Sequence, residues 1–518
     1  MSNNLKELIK YVQAGTAEGD ESFLGDVFVP FEQYADVISV PLGGPRIILG
    51  NKGSGKSALL RYFNWQMNEI DVPCILIRPK DINISSSSDS SLGSLTRVYE
   101  AALLRAIATK LGQGVNGLVI NEDDKKLLSQ AKSDGVKDED LIERMVTFLS
   151  PIGKKVSGID FSKLKLGISD VGVKSIKNSI ESNLGRNDKC FYVLIDDTDQ
   201  VAAPNEKDHL NRIWAFLLAA RSVMEDCSNV KFIISLRDEV WRRLKRDESG
   251  QRDQVDHFRN LISKISLSES EIKSVILKRL ELVNEKLGLE PHITQYNSFF
   301  EGNHVRIPTT EEEFRYWDDF IVKRSRERPR DSIQLIYKLA EHALKNKQEK
   351  IKPDSVEKVM PTYSEERVDD LKRESDLECP QIKEVVRAFS GLEYTEGSFT
   401  LHPQATADFL NSLTSRFTIS LLGKNLRNND KESVFLLWRF LHEIGFLNAR
   451  ASDSRKDKGF RHITPEEDPD LVSPARWNEM QSLTWEIHPS YRDYLIKVNS
   501  EKQFSFGLPK KPKKQGRR

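Results

Sequence analysis

Apolar residues along the chain follow two alternating rhythms. Short, nearly unbroken runs recur at Arg46-Ile47-Ile48-Leu49, at 72–79, 190–195, 230–236 and 262–267. Runs this short and this apolar are what strands buried on both faces look like. Between them the spacing changes to that of helices with one apolar face. Leu59, Leu60, Phe63 and Met67 form one such stripe, Tyr99 to Leu111 holds another, and Leu210, Ile213, Trp214, Leu217 and Leu218 mark a long helix over 208–227. Strand and helix alternating in this way predict an α/β core over residues 41–268 with a parallel sheet. The polar run 84–94 reads as a loop. From about 100 to 188 the pattern demands no further strand. Helices at 123–133 and 138–150 and a glycine-punctuated segment there predict an insertion into the core.

The second half changes character. Ser268 and Glu271 form a capping signal ahead of a helix over 269–286. Residues 313–345 read as helical, with Ile333, Leu335, Ile336 and Leu339 on one face, so 269–375 is expected to be a helical lid. Residues 376–500 look like a separate module. Helices at 381–391, 403–413 and 431–444 precede a turn and strand at Gly445–Arg450, a charged stretch, and a returning strand at Leu483–Ile487. That order is the order of a winged helix. At the other end, 1–40 reads as a helix and linker. It is dense in aromatics (Phe23, Phe28, Phe31, Tyr34), which either cover a bound base or pack on the core. Residues 501–518 form a basic tail, without apolar content from Lys510 to Arg518, expected to be disordered and a handle for nucleic acid.

Composition narrows this only slightly. In 518 residues, 78 basic and 78 acidic side chains cancel, so no global field recruits nucleic acid or membrane. Cys74, Cys190, Cys227 and Cys379 are scattered, with no metal-ligand or redox spacing. Cys74 and Cys190 sit in apolar runs, where a small buried hydrophobe is the expected role. A polar N-terminus, no run long enough to span a bilayer and no disulfide pattern predict a cytoplasmic protein with no membrane partner.

The chemistry is concentrated at two strand ends. Directly after the first strand comes Gly50-Asn51-Lys52-Gly53-Ser54-Gly55-Lys56-Ser57. It fits G-x-x-x-x-G-K-[ST], and a helix opens at its end. Glycines let backbone amides approach phosphate oxygens. The helix N-terminus adds unpaired N–H groups and partial positive charge. Lys56 is expected on the β- and γ-phosphates of ATP and Ser57 on Mg²⁺. A glycine-rich turn with a chance lysine is the alternative. The third run ends in Ile195-Asp196-Asp197-Thr198-Asp199. Ligands bind beyond the C-terminal ends of parallel strands. There Asp196 would hold Mg²⁺, and Asp197, or its rival Asp199, would polarise the attacking water; a solvated acidic turn is the alternative. The fourth run ends at Ser235-Leu236-Arg237, where Ser235 or Arg237 is placed to contact the γ-phosphate. Arg237 could equally pair with Asp238 or Glu239. Arg252, His257 and Arg259 are candidates for an arginine finger offered to a neighbour, with plain solvated charge as the rival reading. Arg330, at a helix start in Arg328-Pro329-Arg330-Asp331, is a candidate contact from the lid; a basic surface turn capped by Asp331 is its rival.

On these residues (50–57, the Asp-Asp-Thr-Asp run at 196–199, the strand ending at Arg237 and the Arg-Pro-Arg-Asp at 328–331) the chain resembles the AAA+/STAND group of P-loop ATPases. The double aspartate is closest in kind to STAND and KAP-type bacterial ATPases. The order of core, lid and winged helix is also similar to replication-initiator ATPases. No membrane span is present, which departs from typical KAP proteins. The resemblance covers about 40–345. It implies an ASCE-type P-loop core and a switch driven by ATP binding and Mg²⁺-dependent hydrolysis, of a kind often found in bacterial defence or signalling and acting through a partner effector. The alternative it implies is a DNA-binding initiator or loader, touching DNA through the winged helix, Arg450, Arg455, Lys456, Lys458, Arg461 and the tail. Self-association into a homo-oligomer is a further expectation of the family, and a scaffold with a structural, unhydrolysed nucleotide is the third reading.

Overall fold

The computed structural model describes residues 3–78, 91–114, 170–187, 189–198, 209–246, 254–289, 295–308, 313–392, 399–454, 459–465 and 467–505. Two compact units emerge, Thr16–Leu267 and Met1–Gly15 together with Ser268–Arg518. The opening helix α1 (Asn3–Val12) thus belongs with the second unit.

In the first unit, α2 (Leu24–Val27) and α3 (Gln33–Ile38) precede β1 (Arg46–Gly50), α4 (Lys56–Glu69), β2 (Cys74–Ile77), α5 (Leu92–Gly114), α6 (Asp170–Asn187), β3 (Phe191–Ile195), α7 (His209–Asp226), β4 (Val230–Arg237), α8 (Asp238–Arg246), α9 (Gln254–Phe258) and β5 (Ile262–Lys264). The strands form one parallel sheet in the order β2-β3-β4-β1-β5. This is the α/β P-loop core with a strand interposed between β1 and β3. The apolar runs are strands because both faces are covered. Ile47, Val193, Phe232 and Ile234 share one cluster with Tyr99, Leu103, Ile107, Ile213 and Phe216 of α5 and α7. The fifth strand is shorter than its apolar run, ending at Lys264, although the Ile265 amide still donates to the Leu49 carbonyl at 2.8 Å. The two ends of the stretch read as an insertion, through Gly114 and from Asp170, are helices packed on this core through Leu103, Ile107, Ile180 and Leu184. The expected helices at 123–133 and 138–150 lie outside the described residues.

The second unit continues α1 with α10 (Glu269–Lys286), β6 (His304–Arg306), β7 (Phe314–Tyr316), α11 (Trp317–Lys323), α12 (Pro329–Lys345), α13 (Asp354–Ser375), α14 (Ile382–Ala388), β8 (Thr400–Leu401), α15 (Pro403–Arg416), β9 (Ser420–Leu421), β10 (Lys424–Asn425), α16 (Lys431–Glu443), β11 (Leu447–Ser452), β12 (Phe460–Ile463), α17 (Trp477–Met480), β13 (Thr484–Ile487) and α18 (Pro489–Ser505). The predicted capping box closes: the Ser268 amide donates to Glu271 at 2.8 Å and the Glu271 amide to the Ser268 hydroxyl at 3.3 Å. One expectation fails. Residues 313–345 are not helical throughout, because Phe314–Tyr316 pairs antiparallel with His304–Arg306 and the helix starts only at Trp317. The returning strand β13 pairs with β11 as expected, and it also pairs with the unforeseen two-residue strand β8, giving the order β12-β11-β13-β8.

The turn before α12 is no solvated basic surface. Asp331, 3% exposed, accepts from Arg326 Nε at 2.8 Å and Arg367 Nη1 at 2.7 Å, while Arg328 donates to Glu374 at 2.7 Å. Tyr363 donates from its hydroxyl to the carbonyls of Arg324 (3.0 Å) and Asp331 (3.1 Å). Arg324 in turn pairs with Asp493 on α18 and donates to the Pro489 carbonyl at 2.9 Å. Burial works against the Arg326 and Arg367 cations, yet the carboxylates around them, Asp331 foremost, carry both to a higher pKa.

Candidate nucleotide site

The glycine loop joins β1 to α4. Gly53 (φ 84°) and Gly55 (φ 102°) adopt backbone angles that side chains disfavour. Gly50 is required for space, since a Cβ there would lie 2.6 Å from Ser54 Oγ, 2.7 Å from Ile265 Cγ2 and 3.0 Å from the Ile265 carbonyl oxygen. Lys56, first residue of α4, is buried. Its ammonium donates to the carbonyls of Gly50 (2.6 Å) and Asn51 (3.0 Å), so two of its three donors hold the loop and one is left for a ligand. Burial depresses the Lys56 pKa, with Glu239, Asp238 and Asp196 pulling the other way. Ser57 follows on the first turn and is half-buried; Asn51 is exposed and Lys52 half-buried.

Beyond β3 the chain turns sharply. Asp196 is 1% exposed, and its backbone amide donates to the Ile77 carbonyl at 2.9 Å. One carboxylate oxygen, Oδ1, accepts from Ser235 Oγ at 2.8 Å and from the Asp197 amide at 3.0 Å. That same amide also reaches Ser235 Oγ at 3.1 Å. Asp197 itself stands at φ 52°, a left-handed conformation that needs such support. Ser235 therefore gives its one hydroxyl hydrogen to Asp196, and its role is to fix the aspartate pair. The sheet explains the meeting. β4 lies between β1 and β3, in register Gly50 with Arg237 and Ile195 with Ile234. The loop and the aspartates thus open onto the same end of β4.

The other oxygen of Asp196, Oδ2, is buried without a hydrogen-bond partner. Arg78 Nη2, just past β2, lies 3.6 Å from it and also pairs with Glu18. Ligand oxygens of Glu18, Asp196 and Asp197 all lie within 4.8 Å of one another. Carboxylate oxygens with an unsatisfied buried lone pair, beside a serine-bearing phosphate loop, are a donor set that fits Mg²⁺. Burial opposes the Glu18 charge, but a backbone amide, Arg78 and Arg61 together hold its carboxyl below the usual range. Neither Glu18 nor Arg78 belongs to a motif. Arg78 is a polar residue closing a predicted strand, the one signal that could have found it.

The other candidates divide. Arg237, half-buried at the end of β4, has a Glu239 oxygen at 3.8 Å. Asp199 and Arg252 lie outside the described residues. Arg259 pairs with Asp256 at 2.8 Å on the surface, and His257 is exposed. Arg330 is in the second unit, second residue of α12, with its Nε buried and without a hydrogen-bond partner. Of the N-terminal aromatics, Phe28 stacks on Tyr62 of α4 at 4.1 Å, and Tyr34 lies 5.7 Å from Phe28 and 5.5 Å from Phe31. The four cysteines are free, and burial pushes the Cys74, Cys227 and Cys379 thiols up to about 12. Among the described residues no helix is long and apolar enough to cross a membrane.

In the carboxy-terminal module, α16 would be the helix offered to a DNA groove. It is buried on nearly every side, from Val434 and Phe435 to Leu441 and His442. The chain between β12 and β13 covers it: Arg439 donates to the Val472 carbonyl at 2.8 and 3.0 Å, and Trp477 packs on Phe435 and Trp438. Arg450 lies 3.4 Å over the Phe460 ring and 3.7 Å from Glu486, and Arg461 pairs with Glu467 at 2.6 Å. Arg455, Lys456, Lys458 and residues 506–518 of the basic tail lie outside the described residues, while 501–505, expected to be disordered, instead continue α18.

Residues 270–372 match the family described as the FunZ-associated C-terminal helical domain. The chain is 21% identical over 417 residues to the putative transposon gamma-delta 80.3 kDa protein of Escherichia coli K12, covering 76% of this chain and 56% of that protein. It therefore spans little more than half the length of that curated relative. Among solved structures, the Aeropyrum pernix ORC2 protein in ADPNP–ADP complexes aligns over 95% of both chains at 11% identity and TM-score 0.38. Cdc6p from Pyrobaculum aerophilum aligns over 95% of both at 12% and 0.31. Drosophila ORC bound to DNA covers 84% of this chain and 92% of its own at 10% and 0.33.

Proposed function

We propose that this chain is a Mg²⁺-dependent ATPase whose two nucleotide states act as a molecular switch. The single observation carrying the reading is that the Lys56 loop and the Ser235-fixed Asp196–Asp197 pair open onto one end of β4. Loop amides and Lys56 would bind the β- and γ-phosphates. Ser57 and Asp196 would hold Mg²⁺, which supplies charge neutralisation at the phosphates. Asp197, its carboxylate set by the left-handed turn, would accept a proton from the attacking water. Arg237 and Arg330 are proposed to respond to the γ-phosphate, and Asp199 is the rival base. The test is nucleotide binding and phosphate release by Lys56→Ala and Asp197→Ala. Binding should be lost in the first; in the second it should persist while turnover stops. Unchanged turnover in both would refute the assignment.

A second reading, an ATPase acting on DNA, is supported by the transposon named in the relative and by the order α14, β8, α15, α16 and β11, similar to that of a winged helix with the short β9–β10 hairpin added between α15 and α16. The covered α16 directs any such contact away from that helix. A gel shift across a salt series tests it, since phosphate contacts weaken steeply with salt. A defence or signalling role through a partner effector, a homo-oligomer and a cytoplasmic location stay with the family resemblance, as does a scaffold with an unhydrolysed nucleotide; phosphate release with the native partner separates the last from the switch.

A further inference from the structure

Asp196 carries a buried oxygen that no hydrogen bond satisfies, and a side-chain cation lies beside it. Arg78 Nη2 sits 3.6 Å from Oδ2, too long for a hydrogen bond and close enough for strong attraction in a buried setting. Arg78 is held there from the other side by Glu18, its short ion-pair partner. Glu18 belongs to the segment that Arg61 of α4 grips through Glu21 at 2.6 Å, with Glu18 itself at 4.0 Å. The Arg78 side chain is 11% exposed, and its Nε is buried without a partner, so the guanidinium is held by charge more than by a complete hydrogen-bond set. Buried polar atoms left unsatisfied in this way mark strain or a displaceable contact.

Resting on the ATPase reading, we propose that Arg78 is a tethered counter-ion of Asp196, anchored by Glu18, which Mg²⁺ must displace electrostatically when the metal–nucleotide complex loads. With no metal, the guanidinium offsets the cost of burying the Asp196 charge. A divalent ion at the same carboxylate repels it, so Arg78 raises the Mg²⁺ concentration needed for loading. Arg78 is then a positioning residue and not a phosphate ligand. Charge, and not shape, sets the effect, because Glu18 and Asp196 are the groups it touches.

The experiment is a Mg²⁺ titration of fluorescent ATP-analogue binding to the full chain, with phosphate release left out of the readout. Arg78→Gln should lower the half-saturating Mg²⁺ by roughly threefold or more, since one positive charge beside the metal is removed. Its affinity for the analogue in EDTA should stay at the parent value. Arg78→Met removes the same charge and keeps much of the side-chain length, so it should shift the Mg²⁺ dependence in the same direction by a similar factor; it also serves if Arg78→Gln does not fold. Weaker binding in EDTA would make Arg78 a phosphate ligand and overturn the proposal, as would an unchanged or raised Mg²⁺ requirement in both variants. If the parent chain binds no analogue, or binds it independently of Lys56, the ATPase reading itself falls; a Lys56-dependent signal with unshifted variants removes the counter-ion alone.

Discussion

Ser235→Ala isolates what holds the aspartate pair. The substitution removes one hydroxyl and leaves a void smaller than a water. It deletes the 2.8 Å bond to Asp196 Oδ1 and the 3.1 Å acceptance from the Asp197 amide, while that amide keeps Asp196 Oδ1 at 3.0 Å. No donor is orphaned, so the cost is that of one buried hydrogen bond to a charged group, about 1.5–3 kcal/mol. For a unit of this size that is on the order of a 5 °C fall in Tm, read by differential scanning fluorimetry. Catalysis should suffer as well. Asp197 stands at φ 52°, a conformation that costs about 1–2 kcal/mol in a residue with a Cβ. With Ser235 gone the turn can relax, and misplacing the carboxylate by the equivalent of about 1.4 kcal/mol slows phosphate release tenfold. Nucleotide affinity in EDTA should stay within about twofold, because Lys56 is untouched. Ser235→Thr keeps the hydroxyl and should recover most of the turnover. A Ser235→Ala protein with parental Tm and parental turnover would refute the claim that this hydroxyl fixes the pair.

Gly50→Ala should destabilise the first unit by about 1–3 kcal/mol and abolish nucleotide binding, since the added methyl meets Ser54 and the Ile265 backbone at 3.0 Å or less; normal binding by titration calorimetry would contradict it. Asp331→Ala leaves Arg326 and Arg367 buried without their shared carboxylate. It should cost about 3–5 kcal/mol in urea unfolding of the second unit, and a loss under 1 kcal/mol would show that the arginines find water or other acids. Glu486 gives a pH signature. Its burial opposes the charge, but His462, Arg492 and Arg450 outweigh it and hold its carboxyl down at about 2. A depressed carboxylate stabilises fully above its unfolded value near 4.5 and loses that contribution as pH falls through 2. The parent should therefore shed up to about 3 kcal/mol between pH 4.5 and 2 that Glu486→Gln does not, followed by circular dichroism.

The glycine loop, the paired aspartates and the five core strands were legible in sequence because each is a local pattern: fixed spacing, or an apolar run ending in charge. What escaped was made by contacts between distant segments. Ser235 looked like a phosphate sensor at a strand end, and only the pairing of β3 with β4 shows that its proton goes to Asp196. Glu18 and Arg78 are sixty residues apart and pair across the unit, and Arg78 reaches Asp196 because β2 lies beside β3. Arg330 read as a lid contact with a basic surface turn as its rival, since nothing in a linear charge run announces that Glu374 pairs with Arg328 and Arg367 with Asp331 there. Phe314–Tyr316 read as helix because three residues cannot display the alternation of a strand. The covering of α16 by Trp477 depends on a segment with little periodicity of its own.

The placement of α1 sets an order of assembly. Leu5, Leu8 and Val12 are sealed against α10 and α12, hundreds of residues downstream. A ribosome adding about 5–20 residues per second needs roughly 15–70 s to reach the end of α12. Through that interval the amphipathic opening helix has no partner, while the nucleotide unit between them can already close on itself. Chaperone capture or early misdocking of that helix is therefore the step at which synthesis of this chain is most exposed, and a fusion placed ahead of Asn3 burdens the far half of the molecule, not the near one.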